Sequence, residues 1–177
     1  MGDDITIRRA VPEDATGIAI VRAYTWATAY RGIIPDEILQ SRIDAVPSNA
    51  GRLKSLIESG NFSYAVALHN NAVIGFVSYG KSRDRNYPAD GETGALYVLK
   101  GFAGSGVGSA LLDCAKRELA QQGFSHMIVN CLLGNPSLEF YKRMGGIITG
   151  QKTDEIFGSH TITENILRFE LQTELHL

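Results

Sequence analysis

The chain has 177 residues, of which 44% are hydrophobic and 20% charged, a balance typical of globular proteins that bury a core. The formal net charge of −2 argues against a nucleic-acid-binding protein, because such proteins carry a strongly basic face. No apolar run is long enough to span a membrane, and both cysteines lie in apolar segments. We therefore expect a single domain over residues 1–177, located in the reducing cytoplasm, with no membrane or nucleic-acid partner.

The N-terminal half predicts a strand, two helices and a hairpin. Pro12 opens the first helix, since proline at the first helical position loses no hydrogen bond. Asn70 and Asn71 predict a tight turn, because asparagine tolerates the left-handed conformation. In chain order we expect a strand at 5–9, a helix from Pro12 towards Tyr30, a helix at 53–58 that ends at Gly60, and strands at 64–68 and 73–79.

The C-terminal half predicts alternating strands and helices after a basic, polar loop at residues 81–90. Four apolar residues at helical spacing predict one buried helix face: Leu111, Leu112, Ala115 and Leu119. In chain order we expect a strand at 95–99, this helix, which ends at Gly123, a strand at 127–133, a short helix from Asn135-Pro136 to Gly145-Gly146, and antiparallel strands at 147–157 and 161–171. The order indicates a mixed α/β layout with one strand–helix–strand unit near its centre.

The segment before the central helix is rich in glycine, with the sequence GFAGSGVG at residues 101–108. A helix N-terminus presents backbone N–H groups and about half a positive charge, so an anion is its natural ligand. Gly104, Gly106 and Gly108 lack a Cβ, which lets a phosphate approach the backbone closely. The segment therefore predicts a phosphate-binding loop rather than a plain connection.

Two common phosphate-binding patterns fit this loop poorly. The P-loop pattern requires a lysine where Val107 stands. The dinucleotide pattern, started at Gly104, requires a glycine where Ser109 stands and an acidic residue near the end of the next strand, which ends in leucine. Both nucleotide-binding interpretations are therefore weak.

Three segments together resemble the GNAT superfamily of N-acetyltransferases. Residues 103–108, AGSGVG, are similar to that family's coenzyme A pyrophosphate loop, Gln/Arg-x-x-Gly-x-Gly/Ala. Residues 135–146, NPSLEFYKRMGG, resemble its Asn-Pro-x-x-x-Phe-Tyr-x-x-x-Gly-Gly signature, and residues 26–39, WATAYRGIIPDEIL, resemble a stretch of one large subgroup. Ala103 and Ser105 depart from the family's polar or basic residues, which reduces charge pairing with the coenzyme's phosphates, and Lys100 compensates in part.

The resemblance implies an α+β fold whose mixed, mostly antiparallel central sheet is flanked by helices, with the glycine loop opening the central helix. It also implies direct transfer of an acetyl group from acetyl-CoA to a primary amine of a small molecule. The residues implied in coenzyme binding are Leu96, Tyr97 and Val98, Ala103, Gly104, Ser105, Gly106, Val107, Gly108 and Ser109, and Asn135 and Tyr141. In this scheme the backbone of residues 96–98 holds the pantetheine arm, and the Val98 N–H polarises the thioester.

Tyr141 matches the family's tyrosine, the candidate general acid for the leaving thiolate, and Glu92 stands where many relatives carry a base or a water-orienting glutamate. Trp26, Tyr30 and Arg31 are candidates for the acceptor pocket. Structural alternatives stay open for these residues. Tyr141, Trp26 and Tyr30 fit core packing, Glu92 and Arg31 fit solvated charges, and Asn135 fits a helix cap alone.

The sequence leaves two other functions open, a non-catalytic acyl-CoA-binding regulatory module and a protein N-acetyltransferase. The presence of both Glu92 and Tyr141 favours the enzyme. No pair of histidines has metal-ligand spacing, so we expect no metal, and both cysteines fit packing better than nucleophilic catalysis. The oligomeric state is open, and a homodimer is one of the assemblies that the sequence allows.

Overall fold

The computed structural model describes residues 5–32, 34–60, 62–156 and 160–172, which form a mixed α/β fold. The strands are β1 (Ile5–Arg9), β2 (Ser63–His69), β3 (Ala72–Lys81), β4 (Gly91–Val98), β5 (His126–Leu132), β6 (Ile147–Ile156) and β7 (His160–Glu170). The helices are α1 (Ala15–Ala29), α2 (Asp36–Asp44), α3 (Val46–Ser59), α4 (Val107–Gln121) and α5 (Ser137–Arg143). In this part of the chain, no helix is long and apolar enough to cross a membrane.

The seven strands form one sheet in the order β1-β2-β3-β4-β5-β7-β6. The pairs β1–β2, β2–β3, β5–β7 and β6–β7 are antiparallel. β4 and β5 are parallel over residues 91–93, and α4 supplies the crossover connection that parallel neighbours need. The predicted fold class, a mostly antiparallel sheet with one central strand–helix–strand unit, is confirmed.

The chain divides into two compact units. The first contains the chain up to Gly80 together with Ala95–Ala115, and the second contains Lys81–Gly94 and the chain from Lys116 onward. β4 and α4 each contribute residues to both units. The expectation of a single domain stays a prediction.

In the first unit, α1 and α3 bury apolar faces in a core shared with the sheet. Ile18 and Val21 of α1 and Phe76 of β3 are completely buried, and Leu53 of α3 is 1% exposed. The expected core positions of α1 are thus confirmed. Asn70 and Asn71 have φ angles of 48° and 63°, which confirms the tight turn between β2 and β3.

One helix of this unit was not predicted, and the predicted start of another is wrong. The sequence predicted no helix at α2, and it placed the start of α3 at Leu53 instead of Val46. Pro35 is the N-cap of α2, and a proline occupies the first turn of α3. Proline is tolerated at these positions because the first N–H groups of a helix have no intrahelical acceptor.

Strand β4 also begins earlier than predicted, at Gly91 rather than Ala95. Glycine has a low strand propensity, which hid this part of the strand in the sequence. A Cβ on Gly91 would lie 2.9 Å from the Leu119 side chain of α4, so close packing explains the glycine. The apolar face of α4 is completely buried at all four predicted positions: Leu111, Leu112, Ala115 and Leu119.

The C-terminal pair β6–β7 is antiparallel as predicted, with Ile147 opposite Arg168 near one end and Thr153 opposite Thr163 farther along. The predicted last residue of β6, Phe157, lies outside the described residues. The core of the second unit includes Met127 of β5 and Leu167 of β7, both completely buried.

Candidate active site

The glycine loop connects β4 to α4. Gly104 and Gly106 have φ angles of +79° and +87°, a left-handed conformation that L side chains rarely adopt. A Cβ added at either position would meet no protein atom within 4 Å. The backbone therefore favours glycine at both positions, and the space beside them is open.

Local hydrogen bonds fix the loop at the start of α4. The Ser105 hydroxyl donates to the carbonyl of Phe102 at 2.6 Å, and the Ala110 N–H donates to the carbonyl of Gly106 at 3.0 Å. Val107, the first residue of the helix, is 1% exposed and anchors this end of the helix in the core. The first-turn amides of α4 lie at the positive end of its dipole, where an anion is stabilised.

The predicted pantetheine-binding segment, residues 96–98, is half-buried and follows residues 91–93, the part of β4 that pairs with β5. At its end, the Leu99 N–H donates to the Ile74 carbonyl at 2.8 Å. The Tyr97 ring packs on the Phe76 ring, with centroids 5.7 Å apart. The segment is thus held on β3 by both its backbone and its side chains.

Two of the three predicted acceptor residues lie together beside β4. The indole N–H of Trp26 donates to the Tyr97 hydroxyl at 2.9 Å, and the Trp26 and Tyr30 rings pack edge to face at 4.9 Å. Arg31 is exposed in the turn after α1, where its backbone forms a bridge with Ile34.

The structure adds two arginines that sequence reasoning did not single out. The Cζ of Arg42 lies 4.8 Å from the centre of the Trp26 ring, and the Cζ of Arg22 lies 5.3 Å from the centre of the Phe76 ring. The position of Arg22, four residues before Trp26 in a predicted helix, was a usable signal. Arg42 lies in α2, the helix that the sequence did not predict.

In the second unit, α5 carries the candidate general acid, Tyr141. Its side chain is buried, with the residue 7% exposed, and its ring packs edge to face on that of Phe140 at 5.2 Å. The Asn135 side-chain oxygen accepts the Ser137 N–H at 2.8 Å. The predicted helix start is wrong by one residue, because Asn135-Pro136 forms a turn before α5 and Pro136, not the predicted Asn135, is the N-cap.

The end of α5 explains the Gly-Gly pair of the motif. Gly145 has a φ angle of 96°, and a Cβ on Gly146 would lie 2.6 Å from the Phe169 ring. Lys116 of α4 donates from its Nζ to the Met144 carbonyl at 2.8 Å, which satisfies a carbonyl at the helix end. These contacts fix the position of α5, and hence of Tyr141, on the second unit.

Glu92 lies inside β4, not in the loop before the strand where the sequence placed it, and it is 4% exposed. One carboxylate oxygen accepts the backbone N–H of Arg83 at 2.8 Å, and the Arg83 guanidinium forms an ion pair with the other. The neighbouring Asp90 forms a bidentate ion pair with Arg168, whose Nε and Nη2 donate to the two carboxylate oxygens at 2.7 and 3.0 Å. The predicted loop is therefore attached to the sheet at two carboxylates.

A family model described as the acetyltransferase (GNAT) family matches residues 23–146, which include the glycine loop, Glu92 and Tyr141. The chain belongs to the acetyltransferase (GNAT) family. The uncharacterized N-acetyltransferase YuaI of Bacillus subtilis is 34% identical to it over 154 residues, which are 87% of each chain. The family resemblance inferred from the motifs is thus confirmed.

Solved GNAT structures share the fold at low sequence identity. The PaiA N-acetyltransferase of Thermoplasma acidophilum, in complex with coenzyme A, has a TM-score of 0.72 at 20% identity, with 94% of this chain and 99% of that one covered. YncA of Salmonella typhimurium, with its cofactor acetyl-CoA, has a TM-score of 0.69 at 21% identity, with 97% and 96% covered. These similarities show that the GNAT fold extends over nearly the whole chain.

Within the described ranges, no three His, Cys, Asp or Glu side chains are arranged to hold a metal ion. Both cysteines are free thiols. Burial, with a smaller contribution from the charge of Glu164, raises the pKa of Cys131 to about 11. The prediction that the GNAT activity needs no metal is tested by assay in EDTA.

We expect Cys131 to resist alkylation in the native protein. With a pKa of about 11, only about one thiol in a thousand is ionised at pH 8, and the thiolate is the reactive form. In a Cys114→Ala variant, mass spectrometry should show iodoacetamide labelling of Cys131 at least roughly 100-fold slower in the folded than in the denatured protein. Equal labelling rates would contradict the buried, inert thiol.

Proposed function

We propose that this protein transfers an acetyl group from acetyl-CoA to a primary amine of a small molecule in the cytoplasm. The observation that carries the proposal is the glycine loop. Gly104 and Gly106 are left-handed, border open space and lead into the first turn of α4, in a chain of the GNAT family. The coenzyme A and acetyl-CoA in the two similar structures support the choice of ligand.

Backbone groups account for most of the proposed coenzyme binding. The amides around Gly104, Gly106 and Gly108 suit the pyrophosphate, because they need no side-chain charge and Ala103 and Ser105 provide none. The backbone of residues 96–98 suits the amides of the pantetheine arm, since this segment follows the part of β4 that pairs with β5. Asn135 is proposed as a further contact beside its capping role.

The acceptor must lose a proton before it attacks, since an aliphatic amine has a pKa of about 10.4 and is mostly protonated at neutral pH. Glu92 as the direct base stays a prediction from the sequence. Its buried carboxylate is held by both the backbone N–H and the guanidinium of Arg83, and these contacts favour a role in positioning the site. We therefore assign the proton's removal to water or solvent base near the acceptor, with Glu92 fixing the surrounding loop.

Glu92→Gln should lower kcat by roughly tenfold, by the same factor at every pH between 6 and 10. The amide keeps the shape but weakens the contact with Arg83, so the loop is less well positioned whatever the state of the amine. Steady-state rates across this pH range provide the test. A defect that shrinks towards pH 10, where the amine deprotonates itself, would instead make Glu92 the direct base.

A double-mutant cycle tests the partner of Glu92. If the two residues act through their ion pair, Arg83→Gln should produce a similar defect, and the double variant should be little worse than either single variant. If the kcat defect of the double variant equals the product of the two single-variant defects, Glu92 acts independently of Arg83.

Tyr141 is proposed to protonate the thiolate that leaves the thioester. A phenol with a pKa of about 10 can donate to a thiolate whose thiol has a pKa of about 8.5 when the two groups are held together. The contacts of Asn135, Lys116 and Phe169 with α5 support a fixed position for this hydroxyl on its own unit.

A screen of amine pools for acetyl-CoA consumption tests the proposed function. The readout of the screen is release of the coenzyme A thiol. We expect thiol release that depends on both protein and amine. Release with protein substrates only would favour protein N-acetylation, and coenzyme binding without release from any acceptor would favour the non-catalytic module.

A further inference from the structure

The first unit contains a cluster of arginines on aromatic rings, which we call the arginine–aromatic cluster: Arg22, Trp26, Arg42, Phe76 and Tyr97. The guanidinium of Arg42 lies over Trp26 at 4.8 Å, and that of Arg22 over Phe76 at 5.3 Å. The Trp26–Tyr97 hydrogen bond at 2.9 Å and the Phe76–Tyr97 contact at 5.7 Å join the three rings. Two cations from different helices are thus placed on one connected aromatic surface.

The positive charges of the cluster repel one another. Burial and then the nearby charge of Arg22 lower the pKa of Arg42, Arg52 lowers it further, and Tyr97 partly opposes them. The electrostatic repulsion among these arginines opposes their proximity, and a bound anion would offset it.

One donor of the cluster is also unused. The Nε of Arg22 is buried and has no hydrogen-bond partner among the described residues. A buried donor without a partner is costly, and such groups usually belong to a site that a ligand or water completes. The Arg22 guanidinium lies over the Phe76 ring, and a guanidinium is a planar group whose donors match a carboxylate or a phosphate.

We infer that the amine acceptor carries an anionic group, a carboxylate or a phosphate, which Arg22 and Arg42 bind on the aromatic surface of the cluster. This inference rests on the proposed function, because it places the acceptor beside Trp26 and Tyr97. In place of the exposed Arg31 of the sequence prediction, it assigns the anion to Arg42, which lies over Trp26, and to Arg22, which lies over Phe76.

Matched pairs of acceptors test the inference by rate. The standard L-amino acids are compared with their carboxamides, and phosphoethanolamine with ethanolamine, so that each pair differs in the anionic group. We expect the kcat/KM of the best anionic acceptor to exceed that of its neutral partner at least 100-fold. Arg42→Met and Arg22→Met should reduce this preference at least tenfold, mainly through KM, whereas Arg117→Met, an exposed charge on α4, should leave it unchanged.

Fluorescence tests the same site without any reaction. Trp26 is the only tryptophan of the sequence and lies against Arg42, so its emission reports directly on the cluster. Titration with the same compounds in the absence of acetyl-CoA should give saturable changes for the anionic members alone. Arg22→Met and Arg117→Met keep the Trp26–Arg42 contact, and only Arg22→Met should weaken these changes.

The two readouts separate the inference from the proposed function. Anion-selective fluorescence changes without any acetyl transfer would support the anion site and contradict the proposed function. Acetyl transfer to neutral and anionic amines at equal rates would overturn the inference and leave the function standing. Equal fluorescence responses within each pair, or a preference that survives in both Arg22→Met and Arg42→Met, would overturn it as well.

Discussion

Gly106→Asp should weaken acetyl-CoA binding by roughly 100-fold or more, about 2.7 kcal/mol, while the protein stays folded. The aspartate places a negative charge at the start of α4, where the proposed pyrophosphate is stabilised by the helix dipole. It also adds a side chain to the open space beside the loop and strains a φ angle of +87°. Isothermal titration calorimetry with acetyl-CoA measures the effect.

Gly123→Asp is the matched control, since Gly123 has a φ angle of +91° and no protein atom within 4 Å of an added Cβ. It follows the other end of α4, so the backbone strain and added charge are similar but distant from the glycine loop along the helix. We expect wild-type affinity for this variant. Wild-type affinity in folded Gly106→Asp, or an equal loss in both variants, would contradict a pyrophosphate site at the loop.

Tyr141→Phe should lower kcat by a factor of roughly 10² to 10⁴ and leave the affinity for acetyl-CoA nearly unchanged. The change deletes one hydroxyl and keeps the edge-to-face contact with Phe140. Without a positioned proton donor, the thiolate leaves unprotonated or depends on solvent. Steady-state kinetics with an accepted amine give kcat, and calorimetry gives the affinity.

Tyr64→Phe controls for the loss of a tyrosine hydroxyl from a buried position. Tyr64 and Tyr141 are equally buried, each 7% exposed, but Tyr64 lies in the core around α1 and β2. We expect unchanged kcat in this variant. If Tyr141→Phe retains full turnover, Tyr141 is a packing residue and solvent protonates the thiolate.

Local sequence signals were sufficient for much of the fold and for the coenzyme loop. Asn70-Asn71 and the spaced glycines tolerate left-handed backbone conformations that other residues avoid, so residue type alone indicated the turn and the loop. The apolar spacing of Leu111 to Leu119 predicted the buried face of α4, because helical periodicity is visible within a few turns.

Contacts between distant segments could not be predicted in this way. The ion pair that encloses Glu92 depends on the path of the loop back to β4, and no pattern at residue 92 reveals it. The stacking of Arg42 on Trp26 joins α2 to α1, and the sequence did not predict α2, which begins directly after Pro35. Tertiary packing, rather than local propensity, decides both features.

The most direct test of the central claim is the stoichiometry of transfer from acetyl-CoA with a deuterated acetyl group. The purified protein is incubated with the best amine of the screen, and free coenzyme A and labelled amide are counted by mass spectrometry. The account predicts one labelled amide for each coenzyme A released, with no acetylated cysteine on the protein. Saturable coenzyme binding with no labelled amide from any amine, or a trapped acetyl group on Cys114 or Cys131, would contradict it.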